Sequence, residues 1–293
     1  MVCVAAQFFG FVSPVLGTVM MNSLALLWCF MFAMCICSAA SSTTPHIVAH
    51  RGASHDAPEN TLAAFRLAWQ QGADGIEGDF YLSSDGRVVC IHDKDTQRVA
   101  GVKHVVSETS FETLRTLDVG AWKDPQWQGE RVPTLEEVIA TVPQGRKLVI
   151  ELKTGPEIVE PMLQIVDAST LELAQIVVIS FQAETIAEVE RLRPAIRTHW
   201  LTNYKEQSPG KWQPTVDQVA ATVRRIGADG LGTEARTAVV DEAFIARFRE
   251  LATDEFHVWT VDNAGVARTY RDLGAWGITT NRPGWLRERL SAE

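Results

Sequence analysis

The chain has 293 residues, of which 46% are hydrophobic, and a formal net charge of −9. That is enough apolar material for one large core or two small ones. An acidic balance without a basic stripe argues against a nucleic-acid partner and suits the surface of a soluble enzyme.

The N-terminus stands apart. No Asp, Glu, Lys or Arg precedes Arg51, and Leu24 to Cys37 is an almost unbroken apolar run followed by Ser38-Ala39-Ala40. Residues 1–40 therefore read as a signal peptide cleaved after Ala40, or as a membrane anchor that is retained. Either reading places the rest of the chain outside the cytoplasm, exported or tethered, with membrane association possible through this segment. Four of the five cysteines lie in the leader, which leaves Cys90 alone in the body. No internal disulfide can then form there, and Cys90 reads as a small buried strand residue.

From His46 onward short apolar runs alternate with amphipathic stretches. The first predicted strand is His46–His50. A helix over Asn60–Gln71 follows, with Asn60 as N-cap and Gly72 as its stop. The second strand is Gly75–Asp79, and Asp85-Gly86 is a turn signal that closes a small hairpin before Val88–Ile91. The irregular stretch from Asp93 to Pro133 reads as an insertion over one end of the fold. Thr134-Leu135-Glu136-Glu137 is a capping-box signature opening a helix over Thr134–Thr141. Strands are then expected at Lys147–Leu152, Ile176–Ser180, Thr198–Leu201, Gly230–Leu231, His257–Val261 and Trp276–Thr279. Helices are expected at Gln182–Leu192, Val216–Ile226, Val239–Leu251 and Asn263–Leu273.

Eight strands interleaved with helices in one domain over residues 46–290 match a (β/α)₈ TIM barrel with a small insertion after the second strand. A doubly wound open sheet is the runner-up.

Barrel enzymes carry their reactive groups at the C-terminal ends of strands. Here His50 and Arg51 end the first strand, Glu77 and Asp79 the second, and Glu151 and Lys153 the third. Residues two apart on a strand project to the same side, so Glu77 and Asp79 face together, with Gly78 read as leaving room between them. Three carboxylates at one rim repel unless a cation sits among them. Glu77, Asp79 and Glu151 form a hard oxygen-ligand set suited to one divalent cation, Mg²⁺ or Ca²⁺. Arg51 and Lys153 are candidate phosphate grips. His50 and His92 suit a base and an acid near neutral pH, in either assignment. The other five histidines, His199 and His257 among them, read as structural or exposed.

With these residues in place the chain resembles the glycerophosphodiester phosphodiesterases. The resemblance rests on His50-Arg51-Gly52, Pro58-Glu59-Asn60-Thr61, Glu77-Gly78-Asp79, Asp85-Gly86 and His92-Asp93. It continues through Val132-Pro133-Thr134-Leu135-Glu136-Glu137, Glu151-Leu152-Lys153, Ser180-Phe181 and Trp259-Thr260-Val261. It implies a TIM-type barrel that hydrolyses a small glycerophosphodiester to glycerol 3-phosphate and an alcohol. It also implies that Trp259 lines the glycerol or leaving-group pocket, and that Glu59 orients the site from behind. Two departures stand out. Asp262 follows Trp-Thr-Val where the family often has Asn, and Thr280-Asn281-Arg282-Pro283 replaces a more frequent Thr-Asp-x-Pro. Two rival functions are a lysophospholipase D-like enzyme, which needs an apolar channel, and a non-catalytic phosphodiester-binding barrel.

Overall fold

The computed structural model of the chain describes residues 44–291. The predicted leader lies outside them. Among the described residues no helix is long and apolar enough to cross a membrane.

Among the described residues eight parallel strands close on one another. They are β1 (His46–His50), β2 (Gly75–Leu82), β4 (Lys147–Leu152), β5 (Ile176–Ser180), β6 (Arg197–Thr202), β9 (Gly230–Glu234), β10 (Glu255–Trp259) and β11 (Gly277–Thr280). β1 pairs with both β2 and β11, which closes the cylinder. The helices α1 (Leu62–Gln70), α4 (Leu135–Ile139), α5 (Val159–Ala168), α6 (Ala183–Leu192), α7 (Val216–Ile226), α8 (Glu242–Leu251), α9 (Ala264–Asp272) and α10 (Pro283–Ser291) lie between successive strands or follow the last. This is the (β/α)₈ barrel that the strand rhythm predicts.

The main core fills the layer between strands and helices. Phe65, Phe80, Phe248 and Phe256 are fully buried in it, and burial of such a side chain is worth roughly 1.5–3 kcal/mol. Inside the barrel a smaller apolar band of Val48, Val149, Val177, Ile179 and Leu201 separates the two ends. The insertion follows β2 as predicted. β3 (Val88–Cys90) pairs antiparallel with β2 through the turn at Gly86, and α2 (Gln97–Ala100) and α3 (Phe111–Thr116) build a separate small core around Val106 and Leu114.

Several expectations are revised. The N-cap of α1 is Thr61, whose side chain accepts from Ala64 N; Asn60 instead has a left-handed φ of 58° and turns its amide inward. β10 ends at Trp259, although Val261 N still donates to Thr279 O beside it. Helix α5 is absent from the predicted set because Pro161 interrupts its sequence pattern early, although a proline in the first turn costs no hydrogen bond. The hairpin of β7 (Lys205–Ser208) and β8 (Lys211–Gln213) is polar apart from Trp212, and so short that a single apolar residue leaves too little alternation to detect. The capping box of Thr134 with Glu137 forms as predicted, and Cys90 is buried.

Candidate active site

The site begins where β1 ends. Arg51 and Gly52 both have left-handed backbones, with φ of 56° and 80°. A Cβ on Gly52 would lie 2.6 Å from the Ala64 carbonyl carbon, so only glycine lets this turn press against α1. The turn aims the Arg51 backbone N–H at Glu77, donating to Oε2 at 2.9 Å.

β2 and β4 lie side by side with Asp79 in register with Glu151. Glu77, Asp79 and Glu151 are buried, and each offers an oxygen within 4.8 Å of the others. The space that Gly78 provides is on the other face of β2: a Cβ there would meet Cys90 Sγ at 3.1 Å and Phe65 at 3.2 Å. Its missing side chain admits the core behind the strand and is not a gap between the carboxylates. Burial and the neighbouring carboxylates push Glu77 well above its ordinary range and Glu151 up to about 7. Burial would raise Asp79 too, but Lys153 and Arg51 outweigh it and hold Asp79 below the ordinary value. Glu77 Oε1 is buried with no hydrogen-bond partner. A buried oxygen without a donor, in a triad of hard ligands, fits a divalent cation.

The positive groups are placed among these oxygens. Lys153 Nζ lies 2.7 Å from Glu151 Oε1 and 3.1 Å from Asp79 Oδ1. Arg51 reaches Glu59 Oε1 at 3.0 Å and Asp79 Oδ2 at 3.2 Å. Asn60 Nδ2 donates to Asp79 Oδ2 at 2.8 Å, while its Oδ1 accepts from the Asp79 backbone N–H and from Cys90 Sγ. Arg98, from the insertion, was not singled out in the sequence. It donates to both oxygens of Glu59 and, at 2.6 Å, to Asp93 Oδ2. One guanidinium thus braces the partner of Arg51 and the partner of His92. Its signal was its place five residues beyond Asp93 on a short helix, too ordinary to notice alone.

The two histidines have different supports. His92 Nδ1 lies 2.7 Å from Asp93 Oδ1. His50 Nδ1 lies 2.7 Å from Asn281 Oδ1. Burial, reinforced by Arg51, lowers the pKa of His50 to about 4, so the ring is neutral at pH 7.

These groups line a cavity of about 210 Å³ at the C-terminal ends of the strands. His50, Arg51, Glu77, His92, Glu151, Lys153 and Trp259 all border it, and Phe181 meets the Trp259 ring edge-on at 5.4 Å. Glu59 stands behind Arg51, and Asp79 is buried beneath the cluster. A larger hollow of about 650 Å³ lies at the opposite end, bordered by Lys147, Arg197 and Glu255. It is the wrong end for barrel chemistry. Between the two ends sit His199 and His257, both buried, with Nδ1 atoms 2.6 Å apart and His199 Nε2 2.6 Å from Glu255 Oε1. His257 also borders the floor of the smaller cavity.

Residues 50–285 match the sequence profile of the glycerophosphoryl diester phosphodiesterase family. YhdW of Bacillus subtilis (strain 168), whose name carries a provisional glycerophosphodiester phosphodiesterase label, is 33% identical over 244 residues, spanning 82% of this chain and 96% of that protein. A glycerophosphodiester phosphodiesterase of the same organism is 27% identical over 252 residues, 80% of this chain and 83% of its own length. Among solved structures, an Oleispira antarctica phosphodiesterase in complex with sn-glycerol-3-phosphate superposes with a TM-score of 0.74 at 24% identity, covering 85% of this chain and 98% of that one. The glycerophosphodiester phosphodiesterase of Agrobacterium tumefaciens str. C58 gives 0.63 at 26% identity, covering 83% and 99%.

Proposed function

This chain belongs to the glycerophosphoryl diester phosphodiesterase family, and from that premise we propose that it hydrolyses small glycerophosphodiesters to glycerol 3-phosphate and an alcohol, by histidine acid–base catalysis beside one divalent cation. The observation that carries this reading is the meeting, at one cavity, of three buried carboxylates, two cations and two histidines with separate supports.

Glu77, Asp79 and Glu151 would hold the cation, Mg²⁺ or Ca²⁺. When bound it would polarise a phosphoryl oxygen and offset charge that builds up in the transition state. Arg51 and Lys153 border the cavity and bind the remaining phosphate oxygens. Lys153 also neutralises Glu151 and Asp79 before any substrate arrives.

His50 is the base. It is neutral at pH 7, its Nδ1 is occupied by Asn281, and Nε2 is the nitrogen left for the cavity. It takes a proton from the attacking hydroxyl, supplied by water or by the glycerol 2-hydroxyl of the substrate. That oxygen bonds to phosphorus as the phosphorus–oxygen bond to the alcohol breaks. His92, fixed through Nδ1 by Asp93, gives a proton to the departing oxygen. If the 2-hydroxyl attacks, the product is a cyclic phosphate, which water opens in a second step with the proton roles reversed.

Trp259 and Phe181 wall one side of the cavity and suit a glycerol carbon face or a small headgroup. A cavity of about 210 Å³ favours such groups over an acyl chain, because pockets that engulf larger ligands run to roughly 300–1,000 Å³. The uncharged apolar leader supports an enzyme that works outside the cytoplasm, exported or tethered. N-terminal sequencing of the mature protein distinguishes those two: a start at Ser41 means cleavage.

The direct test is release of glycerol 3-phosphate from a panel of glycerophosphodiesters, and of choline and lysophosphatidic acid from lysophosphatidylcholine, with Mg²⁺, Ca²⁺ or chelator. Turnover of the small diesters that stops with chelator is expected. Turnover confined to the lysolipid, or unaffected by chelator, would overturn the reading.

A further inference from the structure

Asp262 makes three hydrogen bonds and accepts in every one. Its Oδ1 takes the Thr280 hydroxyl at 2.7 Å and the Asn281 backbone N–H at 2.9 Å, and its Oδ2 takes Asn281 Nδ2 at 2.6 Å. An ionised carboxylate has no proton to offer. The Asn281 amide therefore has one workable orientation, NH₂ toward Asp262 and Oδ1 away from it; the reverse would press two oxygens together.

Asn281 Oδ1 meets two groups, the Ser54 hydroxyl at 2.9 Å and His50 Nδ1 at 2.7 Å. An amide oxygen can only accept as well. His50 Nδ1 must then carry its hydrogen, and a neutral imidazole protonated at Nδ1 keeps its lone pair on Nε2. The direction of every bond follows from the carboxylate at the far end.

We infer that Asp262 and Asn281 are positioning residues that lock His50 in its Nδ1–H tautomer, through a one-way chain from carboxylate to amide to imidazole. This rests on the reading of His50 as the base. The support differs in kind from that of His92, which has a carboxylate directly on its ring. An amide oxygen on Nδ1–H fixes the tautomer of the ring without placing a charge on it. Asp262 and Asn281 are thus partners in one contact.

The test uses the full chain, with NMR of the histidine ring nitrogens and steady-state kinetics on glycerophosphocholine. In Asp262→Asn the amide at 281 is free to turn over. His50 should then show a mixture of tautomers, and kcat should fall roughly 10–100-fold with KM near its starting value, the usual scale for losing such an outer partner. Joining Asp262→Asn to Asn281→Asp exchanges amide and carboxylate while every donor still meets an acceptor. This double variant should return kcat to within roughly threefold of the parent, as coupled neighbours do. An unchanged ring spectrum and kcat in Asp262→Asn, or a double variant no better than the single one, overturns the lock. His50→Ala separates the two levels. If it keeps full activity, the assignment of His50 as base fails. If it is inactive while Asp262→Asn still shows pure Nδ1–H, only the lock fails.

Discussion

The barrel interior holds two clusters of ionisable groups, and they are built on opposite plans. At the floor, His199, His257, Glu255 and Arg197 form a closed set. Glu255 Oε1 takes the His199 Nε2–H and lies 3.2 Å from Arg197 Nε, and the Nδ1 atoms of His199 and His257 share a hydrogen bond, with His257 kept neutral by burial and by His199 beside it. At the mouth, Glu77, Asp79 and Glu151 repel one another, and Glu77 Oε1 is left with no partner. Buried polar groups that are all paired hold a fold in one arrangement. Buried acceptors left over are held ready for something the chain does not itself supply. Between these two clusters, the floor is paired within itself, and the mouth keeps an unpaired acceptor.

The largest effect separates the two clusters by activity. His50→Ala or His92→Ala should each lower kcat by roughly 10²–10⁴-fold, the range for losing an acid or a base. Glu255→Gln at the floor should leave kcat within about twofold, as changes remote from the chemistry do. Stopped or steady-state release of glycerol 3-phosphate reads both, and a floor variant as damaged as a mouth variant would erase the distinction.

Next comes the cation. Asp79→Asn removes a proposed ligand from the mouth and should raise the cation concentration for half-maximal rate roughly 10–100-fold, the scale of weaker perturbations to metal sites. Cation titrations of the rate check this, and an unshifted curve would move the metal elsewhere.

Stability should change in opposite directions. In chelator-treated protein, Glu77→Gln relieves a buried repulsion and should raise Tm, by about 1 kcal/mol in stability. Glu255→Gln strips a charged partner from a buried imidazole and should cost about 1–3 kcal/mol. Paired thermal melts decide, and two shifts of the same sign would contradict the contrast.

The smallest effect is the pH dependence. Glu151 titrates at about 7 in the folded chain against an ordinary 4.5. The folded state therefore holds its proton longer than the unfolded state does. Its contribution to stability is complete below 4.5 and is lost as pH rises through about 7. Chelator-treated protein should weaken over that interval, and saturating cation should abolish the trend. Glu255 goes the other way: burial would raise it, but His199 and Arg197 outweigh that and hold it below its ordinary value. Its contribution is present above that ordinary value and is lost as pH falls through the folded one. Denaturant melts across pH, with and without cation, separate the two trends.

The mouth was far more legible in the sequence than the floor. A strand period of two is enough to put Glu77 beside Asp79, and the neighbouring strand places Glu151 against Asp79 in register. The floor joins His199 of β6 to His257 of β10 across β9, and no local spacing signals a contact between residues 58 apart. Asn60 shows the same limit. Its residue type favours a helix cap, but its left-handed backbone and the buried Asp79 redirect it to the site. Arg98 and Asn281 act through partners on other elements, so their roles depend on distances that only the closed barrel creates.

Strand β9 carries a further consequence. A Cβ on Gly230 would lie 2.6 Å from the His199 ring, and one on Gly232 would lie 2.4 Å from the His257 ring. The two glycines and the two histidines therefore constrain one another's size. Filling a glycine first produces a collision, and shrinking a histidine first opens a void and strands Glu255. With Leu201, which a Cβ on Gly232 would also meet at 2.4 Å, these positions pack as one block, which any redesign of the barrel interior must exchange together or leave alone.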